Sequence, residues 1–184
     1  MNKIFLSIGA IILSLSITGC EVTDGDGYSS NDGVTDIIEV QLDNATSNSI
    51  YNIHNNGDVA ACKMSVGTYE YWKKDAYKFF SNDYGNTVSY DNDKIWLDII
   101  SNDVANIMLE RIDQAAYVNC DIVIFEDVDI YNFNSGFNIN SSDVGVYLDF
   151  LIDQAHSYNM QVGASDVDVY DNAFIENKFD IITY

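Results

Sequence analysis

Six short apolar runs, IIEVQL (37–42), VAACKMS (59–65), IWLDII (95–100), DIVIFEDV (121–128), MQVGA (160–164) and FDIITY (179–184), are spaced along the chain. Each is rich in Val, Ile or aromatic residues and too short for an ordinary helix, so each predicts a strand. Between them, DVANIMLERIDQAAY places Val104, Ile107, Met108, Ile112 and Ala115 on one helical face. YLDFLIDQAHSY does the same with Tyr147, Leu148, Leu151, Ile152 and Ala155. Ser101 and Ser142 precede these stretches as expected helix caps. Strand and helix in alternation predict an α/β fold of parallel strands joined by crossover helices, either a barrel or an open doubly wound sheet.

The first residues follow a different pattern. MNKIFLSIGAIILSLSITGC has one lysine, an apolar core from Ile4 to Ile17 and small residues before Cys20. This is the form of a secretory signal, shorter than the ~20 apolar residues of a spanning helix. Its ending, ITGC, resembles the lipobox of bacterial lipoproteins. That resemblance implies cleavage after residue 19, a lipid on Cys20, attachment to a membrane through that lipid, and a place in the cell envelope at the outer membrane or cell surface. EVTDGDGYSSNDGVT is polar and Gly-rich, so residues 20–35 are expected to be the lipidated cysteine and a flexible linker to a domain at 36–184.

Charge narrows the partners. The formal net charge is −21, and loss of residues 1–19 removes one lysine and no acid. Such a surface repels nucleic acid and attracts polycations. Cys62 and Cys120 both sit in apolar surroundings and are expected to be buried free thiols. With His54 and His156 the only histidines, no histidine-based metal centre and no cofactor are expected.

No Gly-rich phosphate loop follows any predicted strand, and no Gly-x-Ser-x-Gly elbow occurs. The strands instead end in acid: Asp43, Asp98, the group Glu126, Asp127 and Asp129, and Asp166. In an α/β barrel the C-terminal strand ends share the face that carries the active site. Carboxylates gathered there suit glycoside hydrolysis, which needs one protonated acid and one ionised partner. Tyr131 and Phe133, beside the 126–129 cluster, are candidate sugar-stacking residues. Trp72 and Trp96 are expected to be core anchors, and Arg111, the chain's single arginine, a surface partner of Asp113 or Glu110.

The segments GDVAACKMSVGTYEYWKKDAYKF, IWLDIISNDVANIMLERIDQAA, CDIVIFEDVDIYNFNSGFNINSSD and AHSYNMQVGASD, in this order, resemble the glycoside hydrolase family 114 domain from about Asp36 to Tyr184. The resemblance implies a TIM-barrel-related (β/α)8 fold with about six βα units present, and endo-cleavage of an α-1,4-linked galactosamine polysaccharide. It implies Glu126 as general acid, in place of the family's catalytic Asp. Asp127, Asp129 and Tyr131 are then substrate-binding residues, with Asp43, Asp98 or Asp166 as the second carboxylate. Three departures stand out: Glu126-Asp127 where the family carries Asp-Asn, Ser165-Asp166 where it carries Lys-Asn, and Lys73 where it carries Arg. Those losses, with the absent closing strands, also fit a catalytically degenerate protein that binds a cationic galactosamine exopolysaccharide, or a gene fragment. Unclosed strand edges imply self-association.

Overall fold

The computed structural model describes residues 35–165 and 177–183. Cys20, the 1–19 signal, almost all of the linker and Asp166 lie outside these residues.

Five parallel strands form one sheet in the order β1 (Ile37–Gln41), β2 (Val59–Ser65), β6 (Ile122–Glu126), β7 (Gln161–Ser165) and β8 (Ile181–Thr183). Each of these strands lies beside the one before it in chain order, which is the winding of a (β/α)8 barrel rather than of a doubly wound sheet. Helix α1 (Ser47–Asn55) connects β1 to β2, α2 (Asn102–Val118) leads into β6, and α3 (Ser141–Ser157) connects β6 to β7. Among the described residues the sheet does not close, and β1 and β8 each pair on one side only. None of the described helices is long and apolar enough to cross a membrane.

The period-two alternation of the strands separates two faces. Ala60, Cys62 and Met64 of β2, Val123 and Phe125 of β6 and Val162 of β7 face the helices and join the main core. From α2 that core takes Val104, Ile107, Met108, Ile112 and Ala115, and from α3 it takes Tyr147, Leu148, Leu151, Ile152 and Ala155, the faces expected from periodicity. The other sheet face starts apolar, with Ala61, Ile122 and Ile124 packed together beside Val59 and Ile181. Towards the C-terminal strand ends it becomes ionic, with Lys63 on β2 and Glu126 on β6.

Several expectations are corrected. The run at 95–100 is not a strand of the parallel sheet. Residues Asp91–Leu97 form β5, the centre of a separate antiparallel sheet β3–β5–β4, with β3 at Thr68–Glu70 and β4 at Tyr84–Val88. The polar half of β5, Asp91 to Lys94, concealed this hairpin. Helix α1 was not expected because its Ser- and Asn-rich sequence buries only Ile50 fully.

Ser142 lies inside α3, whose cap is Asn140; Asn140 accepts from the amides of Ser142 and Asp143 in a capping box. Ser101 does precede α2, but its hydroxyl donates to Asp83 Oδ1 at 3.2 Å rather than accepting from a helix amide. Cys62 and Cys120 are not free thiols but a disulfide, with Cα atoms 6.0 Å apart across a sequence separation of 58. Pairing of β2 with β6 brings the two cysteines together, a proximity that spacing alone cannot reveal.

Arg111 is buried rather than on the surface, and Trp72 is exposed rather than a core anchor, whereas Trp96 is fully buried as expected.

Candidate active site

The C-terminal end of β6 delivers Glu126, in register with Ser65 of β2. Its Oε1 lies 3.2 Å from Lys63 Nζ, which also lies 3.4 Å from Glu39 Oε2 on β1. Burial pulls the Lys63 ammonium down, but the two glutamates outweigh it and hold the group above its usual value. Glu126 is therefore presented as a carboxylate paired with a cation.

Asp127 follows in the left-handed region at φ 58°, a conformation that aspartate tolerates better than most residues. The turn buries its carboxylate. Thr68 Oγ1 donates to Oδ2 at 2.7 Å, and Lys94 Nζ donates to both oxygens at 3.0 and 3.2 Å. Ser65 Oγ lies 2.7 Å from Thr68 Oγ1, completing a buried hydroxyl relay to the acid. Gly67 is required here: a Cβ on it would stand 2.0 Å from the Asp127 carbonyl oxygen.

The small sheet brings a further acid. Glu70 pairs in register with Lys94, and the Lys94 ammonium lies 3.9 Å from Glu70 Oε1. Lys73 Nζ lies 3.3 Å from Glu70 Oε2 and 2.9 Å from Asp43 Oδ2. Burial raises the Glu70 carboxyl above the usual range; Lys73 and Lys94 pull it back only in part, and Asp127 adds to the rise. For Lys73 and Lys94, burial works downwards, but Asp43 and Glu70 in the first case, and Asp127, Glu70 and Glu126 in the second, hold both ammoniums above normal.

The result is two lines of alternating charge, Glu39–Lys63–Glu126 and Asp43–Lys73–Glu70–Lys94–Asp127, around the C-terminal ends of β1, β2 and β6. The chain has 8 basic residues against 29 acidic ones, so three lysines on this rim mark it as built rather than as a sample of the general surface.

Arg111 braces the same region from α2. Its Nε and Nη2 donate to Asp75 at 2.7 and 3.0 Å, and its Nη1 donates to the Ser65 carbonyl at 2.7 Å. Burial alone would raise the Asp75 carboxyl, but Arg111 holds it below the usual carboxylate range.

Of the residues singled out from sequence, Glu126, Asp127 and Asp43 thus gather on one rim. Asp129 opens the 3₁₀ turn Ile130–Asn132, which carries Tyr131 half-buried, its hydroxyl enclosed without a hydrogen-bond partner among the described residues. Phe133 stacks on Trp96 with ring centres 5.2 Å apart. Asp98 is placed elsewhere: its Oδ1 accepts from the Ile100 amide at 3.2 Å in the turn between β5 and α2. Sequence reasoning missed Glu70, Lys63 and Lys94. The i,i+3 spacing of Glu70 and Lys73 was the one available signal, while Lys94 required the hairpin register. A cavity of about 580 Å³ opens at the opposite end of the sheet near His54, Asp121 and Gln161, away from these carboxylates.

A singly wound parallel sheet with helices on one face and carboxylates at its C-terminal rim defines the chain as a TIM-barrel-type protein. The chain belongs to glycoside-hydrolase family GH114, whose family model matches residues 14–171. Its structure is similar to that of Aspergillus fumigatus Ega3 in complex with galactosamine, with 28% identity and a TM-score of 0.75, covering 85% of this chain and 61% of that one. The glycoside hydrolase domain of PelA from Pseudomonas aeruginosa, as its E218A variant, shares the fold at 9% identity and a TM-score of 0.58, covering 71% of this chain and 52% of that one. Sucrose 6F-phosphate phosphorylase from Thermoanaerobacter thermosaccharolyticum does so at 15% identity and 0.54, covering 73% and 39%. No curated protein matches the sequence. The chain thus spans less than two thirds of the length of each of these structures.

Proposed function

We propose that this chain is an endo-acting glycoside hydrolase of α-1,4-linked galactosamine polymers, with Glu126 at the point of cleavage. The observation that carries the proposal is the Glu126–Lys63 pair at the end of β6, beside buried Asp127, in a chain whose relative Ega3 was crystallised with galactosamine. Hydrolysis needs one ionised carboxylate and one that keeps a proton. The ion pair suits Glu126 to the ionised role rather than to the general-acid role expected from sequence. Glu70, whose burial keeps its proton to higher pH, suits the acid role. Asp43 and Asp127 already hold lysine ammoniums and offer the same chemistry to a sugar amine. Asp129, Tyr131 and Asp166 complete the proposed substrate-binding set.

The Cys62–Cys120 disulfide supports an oxidising compartment, in keeping with a lipid-anchored place in the cell envelope through Cys20. A second reading, a protein that binds the polymer without cutting it, is favoured by the lysine pairing of the rim carboxylates. Reducing-end release from oligogalactosamine separates the two. Glu126→Gln is expected to abolish release while leaving a cooperative melt, somewhat lowered by loss of the Lys63 ion pair, and oligomer binding. Unchanged release by that variant refutes the assignment of Glu126, and binding by the wild type without release favours the second reading.

A further inference from the structure

The segment between β3 and β4 carries Tyr71, Trp72, Tyr77 and Phe80, which are 68, 50, 82 and 62% exposed. Single exposed aromatics are ordinary. Four in ten residues, starting next to Glu70, are not, and the rings of Tyr71 and Trp72 meet edge to face with centres 4.9 Å apart.

The residues between them anchor the segment to the rim. Lys73 pairs with Asp43 and Glu70, and Lys74 Nζ donates to the Asp43 carbonyl at 2.6 Å. Asp75 is gripped by Nε and Nη2 of Arg111, and Phe79 is buried against Tyr69 and beneath the Arg111 guanidinium, 5.7 Å from its ring centre. The chain's one arginine and two of its lysines thus hold in place a segment that turns its aromatic rings to solvent. A segment fixed in this way presents its rings with little further ordering of the backbone on binding.

We propose that Tyr71 and Trp72 form an accessory stacking surface for amino-sugar residues of the polymer, beyond the point of cleavage. The proposal rests on the substrate reading above and extends it. A sugar ring lays its C–H face on an aromatic ring, and a protonated amine adds a cation–π attraction. A net charge of −21 favours a cationic polymer over a neutral or anionic one. The two rings sit between Glu70 and Lys73 in the chain, which ties the segment that bears them to the rim carboxylates.

The test uses the chain's two tryptophans. Trp96 is 1% exposed, so acrylamide quenching of fluorescence reports Trp72. Oligogalactosamine is expected to shield the wild type from acrylamide and to leave Trp72→Phe unaffected. Tyr71→Ala and Trp72→Ala are expected to raise KM for the polymer about tenfold each, with kcat and the melting temperature unchanged. Cleavage and binding that persist with no shielding and no change in KM overturn the stacking surface and leave the cleavage site standing. Absence of both cleavage and binding overturns both proposals. Equal shielding by the fully N-acetylated oligomer overturns the role given to the amine, and shielding that grows with protein concentration alone makes the surface a contact between copies.

Discussion

Replacing both Cys62 and Cys120 by alanine tests how the sheet is held together. The disulfide joins β2 to the residue pair preceding β6 and closes a loop with a sequence separation of 58. In the chain-entropy description a loop of that size stabilises the folded state by about 4 kcal/mol, because the unfolded chain is denied its open conformations. For a domain of this length each kcal/mol moves the melting temperature by about 2–4 °C, so the double variant is expected to melt roughly 10 °C below the oxidised wild type. Loss of two buried sulfur atoms adds to the effect rather than opposing it. The assay is a circular-dichroism melt of oxidised, reduced and double-variant protein, with a thiol titration of denatured, unreduced chain. The chain has 3 cysteines, so unlipidated full-length protein should titrate one thiol, that of Cys20. Three titratable thiols, or melts that coincide with and without reductant, would refute the reasoning.

Three further substitutions probe the rim. Arg111→Met leaves the half-enclosed Asp75 carboxylate without its partner and is expected to cost about 3 kcal/mol, read as a lower melting temperature. Because Arg111 depresses the Asp75 value in the folded state, the wild type's advantage is present above the ordinary aspartate range and should vanish as pH falls through the depressed value; an advantage that grows on acidification contradicts this. Glu70 has the opposite sign. Its raised folded-state value means that stability is lost as pH rises from the ordinary glutamate range through that value, so Glu70→Gln should gain on the wild type as pH rises above the ordinary glutamate range, and a widening deficit refutes it. Gly67→Ala forces the Asp127 backbone away from its position and is expected to lower stability by about 1–3 kcal/mol and to reduce polymer cleavage; full activity would show that the Thr68–Asp127–Lys94 contacts are dispensable.

The parallel sheet was legible because its strands are buried on the helix side and carry mainly apolar runs, as in VAACKMS, broken at Lys63, and DIVIFEDV. The faces of α2 and α3 were legible from a sustained 3.6-residue period. The hairpin at 84–97 was not, since Asp91, Asn92, Asp93 and Lys94 break the alternation in the half of β5 nearest the turn. That omission hid part of the site. Lys94 reaches Asp127 and Glu70 only through the antiparallel register with β3, and a sequence shows a register only when both strands are seen. Glu126, Asp127 and Asp43 were recoverable for the converse reason: each ends a strand of the parallel sheet or follows one within two residues, so winding alone brings them to one rim. Arg111 was misplaced because it lies on the buried face of α2 in a polar guise, with Asp75 and Ser65 satisfying it from elements distant in sequence.

The most direct test of the central claim is the length distribution of a defined oligogalactosamine, followed by mass spectrometry during incubation with wild-type chain and with Glu126→Gln. The account predicts internal cleavage to shorter oligomers by the wild type and none by the variant, with both proteins folded at the assay temperature. An oligomer left intact by a folded wild type that binds it would contradict hydrolysis at this rim.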